Sequence, residues 1–234
     1  MTGARTAIVL LAAGAGRRVG AEVNKVLLPL DGVPVLAHSV RTALAVEGAH
    51  RVVVVVRPED REEVADALAP HLGAHDVWLV DGGPERHDSE YRALRALRVD
   101  IESGELDVVA IHDAARPLAT PALFRSVVDV AAAEGAGVPG VPAGRLSRAD
   151  GSLAPDGLVA VQTPQAFAAA TRLTAYDAAA RDGFVGTDTA ACLERYADVA
   201  IRLVAGERRN LKITFAEDLR LAEELLSLRD AAAS

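Results

Sequence analysis

Apolar positions along this chain recur at two spacings, and the two alternate from one end to the other. Ala7-Ile8-Val9-Leu10-Leu11 is a continuous apolar run, and Arg51-Val52-Val53-Val54-Val55-Val56 is a second, rich in β-branched residues. Runs with no polar face fit strands covered on both sides, as at the centre of a parallel sheet. Between them Val35, Leu36, Val40, Ala43 and Leu44 fall at helical spacing and predict a helix over 33–46. The alternation continues with helices predicted over about 59–68 and 88–97, and strands over 76–80 and 107–111. Thr120-Pro121 offers an N-cap followed by a proline at the first helical position. Residues 158–165 read as a strand leading into a helix, 200–204 as a late strand, and 216 to about 228 as an amphipathic terminal helix. This rhythm predicts an α/β fold with a mostly parallel sheet and helices on both faces.

Ligands of such sheets bind beyond the carboxyl ends of the strands, and polar residues gather there. The first strand runs into Ala12-Ala13-Gly14-Ala15-Gly16-Arg17-Arg18, with Lys25 shortly after. Small residues let backbone N–H groups close around phosphate oxygens, and the cations supply the charge that a polyphosphate needs. A dinucleotide fingerprint fits less well. Gly14, Gly16 and Gly20 are spaced one residue too long, and 19–25 shows no apolar helical face. The strand holding Trp78 ends in Asp81-Gly82-Gly83-Pro84-Glu85-Arg86-His87-Asp88-Ser89, and the next in His112-Asp113-Ala114-Ala115-Arg116-Pro117. Each alone reads equally well as turn or cap chemistry. All three lie at one end of one predicted sheet.

Composition narrows the classes. The 234 residues fit one domain, 1–234, and half of them are hydrophobic but only 3% aromatic, so the core is mostly Ala, Val and Leu. A net charge of −8 argues against nucleic-acid or anionic-membrane partners. The single cysteine, Cys192, excludes an internal disulfide and reads as a small buried hydrophobe. No apolar run approaches the ~20 residues of a membrane span, and no signal segment is evident, so a cytoplasmic location is expected. Periodicity is lost over 143–157, a polar stretch punctuated by Gly and Pro, as in a functional loop or an intersubunit arm.

Read in order over essentially the whole length, the motifs A-A-G-x-G-x-R, the following lysine, G-G-x-x-R-x-D-S, H-D-A-A-R-P, T-P-Q and N-x-K-x-T resemble one family. The chain is similar to the 2-C-methyl-D-erythritol 4-phosphate cytidylyltransferases and the related ribitol-5-phosphate cytidylyltransferases. The resemblance implies a three-layer α/β/α nucleotidyltransferase, Rossmann-like, with a projecting arm at 143–157 that builds a homodimer. It implies Mg²⁺-dependent reaction of CTP with a polyol phosphate, giving a CDP-alcohol and pyrophosphate. Arg18, Lys25 and Lys212 match the family's cations at the reacting phosphates. Ala12, Ala13, Gly14, Gly16, Gly83, Ser89 and Ala114 fall where the family holds the nucleotide. Asp113 matches the aspartate beside metal and acceptor, with Arg116, Thr163 and Thr187 on the acceptor side.

Departures from the pattern gather on that acceptor side. Leu146 replaces a threonine of the arm, Pro155 aligns with its arginine, and Thr189 ends a motif that reads T-D-E in the family. Asn24 stands where a proline precedes the lysine. Arg145 or Arg148 is therefore expected to take over the acceptor's phosphate. Two alternatives follow: another acceptor, such as ribitol 5-phosphate or a sugar phosphate, or a nucleotide-binding paralogue without activity.

Overall fold

A computed structural model describes residues 3–14, 24–186 and 189–233. The elements run β1 (Thr6–Leu11), β2 (Pro29–Leu30), β3 (Val33–Pro34), α1 (Val35–Leu44), β4 (Ala49–Val56), α2 (Arg61–Leu68), β5 (Trp78–Asp81), α3 (Arg86–Ala96) and α4 (Arg98–Glu102). They continue with β6 (Val108–Asp113), α5 (Pro121–Glu134), β7 (Ala136–Pro142), β8 (Val159–Val161), β9 (Gln165–Ala168), α6 (Ala169–Asp182), α7 (Ala191–Tyr196), β10 (Arg202–Ala205) and α8 (Ala216–Ala233). Among the described residues the main sheet has order β10-β7-β9-β6-β1-β4-β5, with β8 paired to β7. The central pairs β6-β1, β1-β4 and β4-β5 are parallel, whereas β9 joins β6 and β7 antiparallel.

The apolar runs become central strands because their side chains alternate between two cores. Ile8, Leu10, Val52, Val54 and Val56 pack with Leu36 and Val40 of α1, Val64 of α2 and Phe124 of α5. Ala7, Val9, Val53 and Val55 pack instead with Leu94 of α3, Ile101 of α4 and Tyr176 of α6. The result is the expected three-layer α/β/α arrangement. Cys192 is buried in the second core, where burial pushes its thiol up to about 11.

Four sequence expectations need correction. The helix predicted from residue 33 begins at Val35, because Val33–Pro34 pairs with Pro29–Leu30 in a small hairpin. The strand predicted to lead straight into a helix at 158–165 is two strands, β8 and β9, which pair in turn with the edge of β7 opposite β10. The terminal helix continues past 228 to Ala233. The stretch 143–157 has structure of its own. Ala143 N–H donates to the Leu158 carbonyl at 3.0 Å, Ala154 N–H to that of Leu146 at 2.9 Å, and Ser147 pairs with Leu153. The arm is a narrow antiparallel extension of β7 and β8.

Candidate active site

The carboxyl ends of β6, β1, β4 and β5 lie along one end of the sheet, and a cleft of about 530 Å³ opens over them. Ala12, Ala13 and Gly14 form one wall, the Gly82-Gly83-Pro84 loop another, and Lys25, Asp113 and Lys212 also line it. The glycines are required by close packing. A Cβ on Gly82 would stand 2.7 Å from that of Ala13, and one on Gly83 only 2.2 Å from that of Asp88. Ser89 is buried at the start of α3 and its hydroxyl accepts from Gly83 N–H at 3.1 Å, which shapes this loop.

Asn24 fixes the entry to Lys25. Its buried amide donates to the Ala12 carbonyl at 3.1 Å and to Asp60 at 2.7 Å, while its oxygen accepts from Val26 N–H at 3.3 Å. Asp60 is held in turn by two hydrogen bonds from Arg57, at 2.7 and 2.8 Å. The turn Lys25–Leu27 is thereby tied to the end of β1 and to the segment after β4.

Asp113, at the end of β6, is the electrostatic centre. Arg86 Nη1 lies 2.6 Å from one carboxylate oxygen, Lys212 Nζ 2.8 Å from the other, and Arg116 Nε 3.7 Å from that same oxygen. Burial by itself would raise the Asp113 pKa; Arg86 and Lys212 overcome it and hold the carboxyl well below the usual carboxylate range. Three cations around one carboxylate leave an excess of positive charge, suited to phosphate oxygens. Arg116 Nε is buried without a hydrogen-bond partner among the described residues, a donor facing the same region.

A second cleft, about 410 Å³, meets the first at Arg86 and Asp113. Arg116, Gln162, Thr163, Gln165, Thr189 and the acidic Glu194 add to its polar lining, and Val138, Val161, Ile201 and Leu203 form an apolar side. Thr163 accepts from Asp113 N–H at 3.0 Å and lies 3.1 Å from His112 Nδ1. Its own proton is thus directed to Nδ1, which leaves the His112 Nε2–H to donate to the Arg116 carbonyl at 3.1 Å. Asn210 donates to the Thr163 carbonyl at 2.8 Å, and its own carbonyl accepts from Arg116 at 2.7 Å. Ile213 N–H donates to the Ala115 carbonyl at 2.8 Å. These bonds bring Lys212 to Asp113 from a segment distant in sequence.

The structure therefore gathers Ala12, Ala13, Gly14, Lys25, Gly83, Ser89, Asp113 and Lys212 at one cleft, and Asp113, Arg116 and Thr163 at the adjoining one. Ala114 is fully buried and does not line the first cleft, and Ala115 lines it instead. Gly16, Arg18 and Thr187 lie outside the described residues. Arg145 and Arg148 stand exposed on the arm and line neither cleft of their own chain. Sequence reasoning gave no role to Arg86, although it stands inside the G-G-x-x-R-x-D-S motif. Gln162, beside T-P-Q, was also passed over.

No cluster of three or more His, Cys, Asp or Glu residues able to hold a metal occurs among the described residues. Asp113 is the carboxylate that faces both clefts, with Arg86 on one of its oxygens and Lys212 on the other.

The model of the family described as 2-C-methyl-D-erythritol 4-phosphate cytidylyltransferase matches residues 6–228. The enzyme of that name from Geobacillus kaustophilus is 36% identical over 229 residues, covering 95% of this chain and 97% of its own. The one from Solibacter usitatus is 37% identical over 246 residues, covering 98% of each. The crystal structure of the enzyme from Thermus thermophilus superposes with a TM-score of 0.70 at 27% identity, covering 94% of this chain and 98% of that one.

Proposed function

The chain belongs to the 2-C-methyl-D-erythritol 4-phosphate cytidylyltransferase family, and from that membership we propose how its two clefts divide the work. The reaction is CTP-dependent cytidylyl transfer to a polyol phosphate in isoprenoid precursor synthesis. CTP occupies the glycine-walled cleft, and the phosphate of methylerythritol phosphate enters from the second cleft, across Asp113. A phosphate oxygen of the acceptor attacks the α-phosphorus, the bond to the β-phosphate breaks, and pyrophosphate leaves with its electron pair. The nucleophile is already anionic at neutral pH, so positioning and charge neutralisation carry the rate.

The observation that carries this reading is the convergence of Lys212, Arg86 and Arg116 on Asp113, where the two clefts meet, with Lys25 lining the first. Lys25 faces the phosphates in the nucleotide cleft, the role that the family resemblance also gives Arg18. Lys212 bridges Asp113 and the cleft, and Arg116 faces the acceptor. Asp113 and the substrate phosphates would hold Mg²⁺, which takes one or two carboxylates together with phosphates and water, and the ion would add charge neutralisation. The reading also takes the enzyme as a homodimer built through the arm. Its location is taken as cytoplasmic, where CTP is held, and among the described residues no helix is long and apolar enough to cross a membrane.

Pyrophosphate release tests the assignment, with the four nucleoside triphosphates crossed against methylerythritol phosphate and other polyol and sugar phosphates. CTP with methylerythritol phosphate is expected to give the highest kcat/KM. Lys25→Ala is expected to lower kcat on the order of 10² with a smaller effect on CTP affinity. Near-normal kcat in that variant would remove Lys25 from the chemistry.

A further inference from the structure

Glu90 stands on α3 with no exposed surface, four residues after Arg86. Its two oxygens take four hydrogen bonds. Oε1 accepts from Arg86 Nε at 2.9 Å and from the Thr189 hydroxyl at 2.7 Å. Oε2 accepts from Arg172 Nη2 at 2.5 Å and from the Tyr176 hydroxyl at 2.6 Å. A carboxylate whose acceptor positions are all taken by directional donors has one orientation. Arg172, also fully buried, balances its charge from below, stacked over the Phe167 ring at 4.3 Å.

A buried ion pair between Glu90 and Arg172 accounts for Oε2 alone. Oε1 points the other way, to Arg86, whose Nη2 meets Thr189 Oγ1 at 2.9 Å and whose Nη1 meets Asp113 at 2.6 Å. A guanidinium is planar, so fixing Nε and Nη2 fixes the direction of Nη1. Arg86 lines both clefts.

We propose that Glu90 is a positioning residue for the transfer reaction, setting with Thr189 the plane of Arg86 at the junction of the two clefts. The inference rests on the two clefts and the role of Asp113 assigned above. Without Glu90, Arg86 keeps Asp113 as its carboxylate partner and turns toward a two-pronged pair with it. That pair takes the oxygen that Lys212 now holds. Lys212 and Asp113 then lose their arrangement toward the reacting phosphates.

Glu90→Gln alone strands Arg172 as a buried unpaired charge, so the test couples it to Arg172→Met, which removes both charges and keeps an extended side chain. The double variant is expected to unfold cooperatively, to hold CTP with a Kd within about threefold of wild type, and to lose about tenfold or more in kcat, the usual scale of a misplaced group. Adding Thr189→Glu puts a carboxylate where Arg86 Nε and Nη2 already reach, and is expected to recover most of the lost kcat; Thr189→Gln is not. Full kcat in the folded double variant, or no recovery with Thr189→Glu, would overturn the proposal. In the wild-type protein, the Arg86 Nε–H resonance, assigned by its loss in Arg86→Lys, is expected to be protected from solvent exchange. Exchange as fast as that of exposed arginines would overturn the proposal even if no variant folded. Wild-type protein that released no pyrophosphate from CTP and methylerythritol phosphate would instead refute the functional reading, leaving the resonance to report on Glu90 separately.

Discussion

At the scale of single residues, the site depends on keeping one group ionised and its neighbour neutral. Asp113 is anionic because its cations outweigh its burial, whereas burial pushes His112, one residue before it, down to about 4. Neutral His112 suits its bonds, since Nδ1 must accept from Thr163. An unfolded histidine titrates near 6.5, so between about pH 6.5 and 4 the unfolded chain takes up a proton that the folded chain refuses. Stability therefore falls as pH drops through that window, by up to about 1.4 kcal/mol per pH unit for one such group. His87, also lowered by burial, adds to the same slope. Asp113 contributes only further down, once an unfolded carboxylate protonates. Urea unfolding at a series of pH values is expected to show this slope, and His112→Gln to flatten part of it. An unchanged slope in that variant would mean that His112 carries a proton in the fold.

At the scale of elements, legibility in the sequence followed side-chain period. Strands β1, β4 and β6 could be read because each face of the run meets a core of its own, leaving no polar interruption. Strand β7 could not be, since Gly137, Pro139 and Gly140 look like punctuation. The structure gives Gly137 a packing reason: a Cβ there would stand 2.5 Å from the Val127 carbonyl oxygen of α5. The buried Glu90–Arg172 pair left a legible trace. Glu90 shares a helical stripe with Ala93, Leu94 and Leu97, and Arg172 one with Ala169, Leu173 and Tyr176, opposite charges on two apolar faces. The departure at Asn24 also becomes physical here. Its φ of −58° is open to proline, so the hydrogen bonds of Asn24 do by side chain what a ring does by restricting the backbone. Asn24→Ala loses both devices and is expected to lower kcat by roughly threefold to tenfold through a looser Lys25. Asn24→Pro is expected to recover much of that loss. Equal kcat in all three proteins would show that the turn is fixed elsewhere.

At the scale of the whole molecule, the acceptor cleft looks unfinished within one chain. Val161 and Leu203 line it yet remain half exposed, and Leu146, Leu153 and Leu158 of the arm and its base are exposed as well. These residues sit on or beside β8 and β10, which pair with opposite edges of β7, and along the arm that prolongs β7 and β8. An apolar strip ending in two arginines fits a second copy of this chain, laid so that each arm closes the other's acceptor cleft. A dimer joined in this way is expected to fall to monomer in sedimentation when Leu153→Lys is introduced, with loss of transfer. The sharper consequence concerns Arg145 and Arg148, which line neither cleft of their own chain. If they serve the partner's acceptor, the double variant Arg145→Ala/Arg148→Ala is nearly inactive at low acceptor concentration, as is Lys25→Ala for its own reason. Mixing the two inactive proteins and allowing subunits to exchange should then restore about one quarter of wild-type activity, because half the dimers are mixed and each holds one intact Lys25 facing one intact arm. Arginines acting within their own chain would give no recovery on mixing.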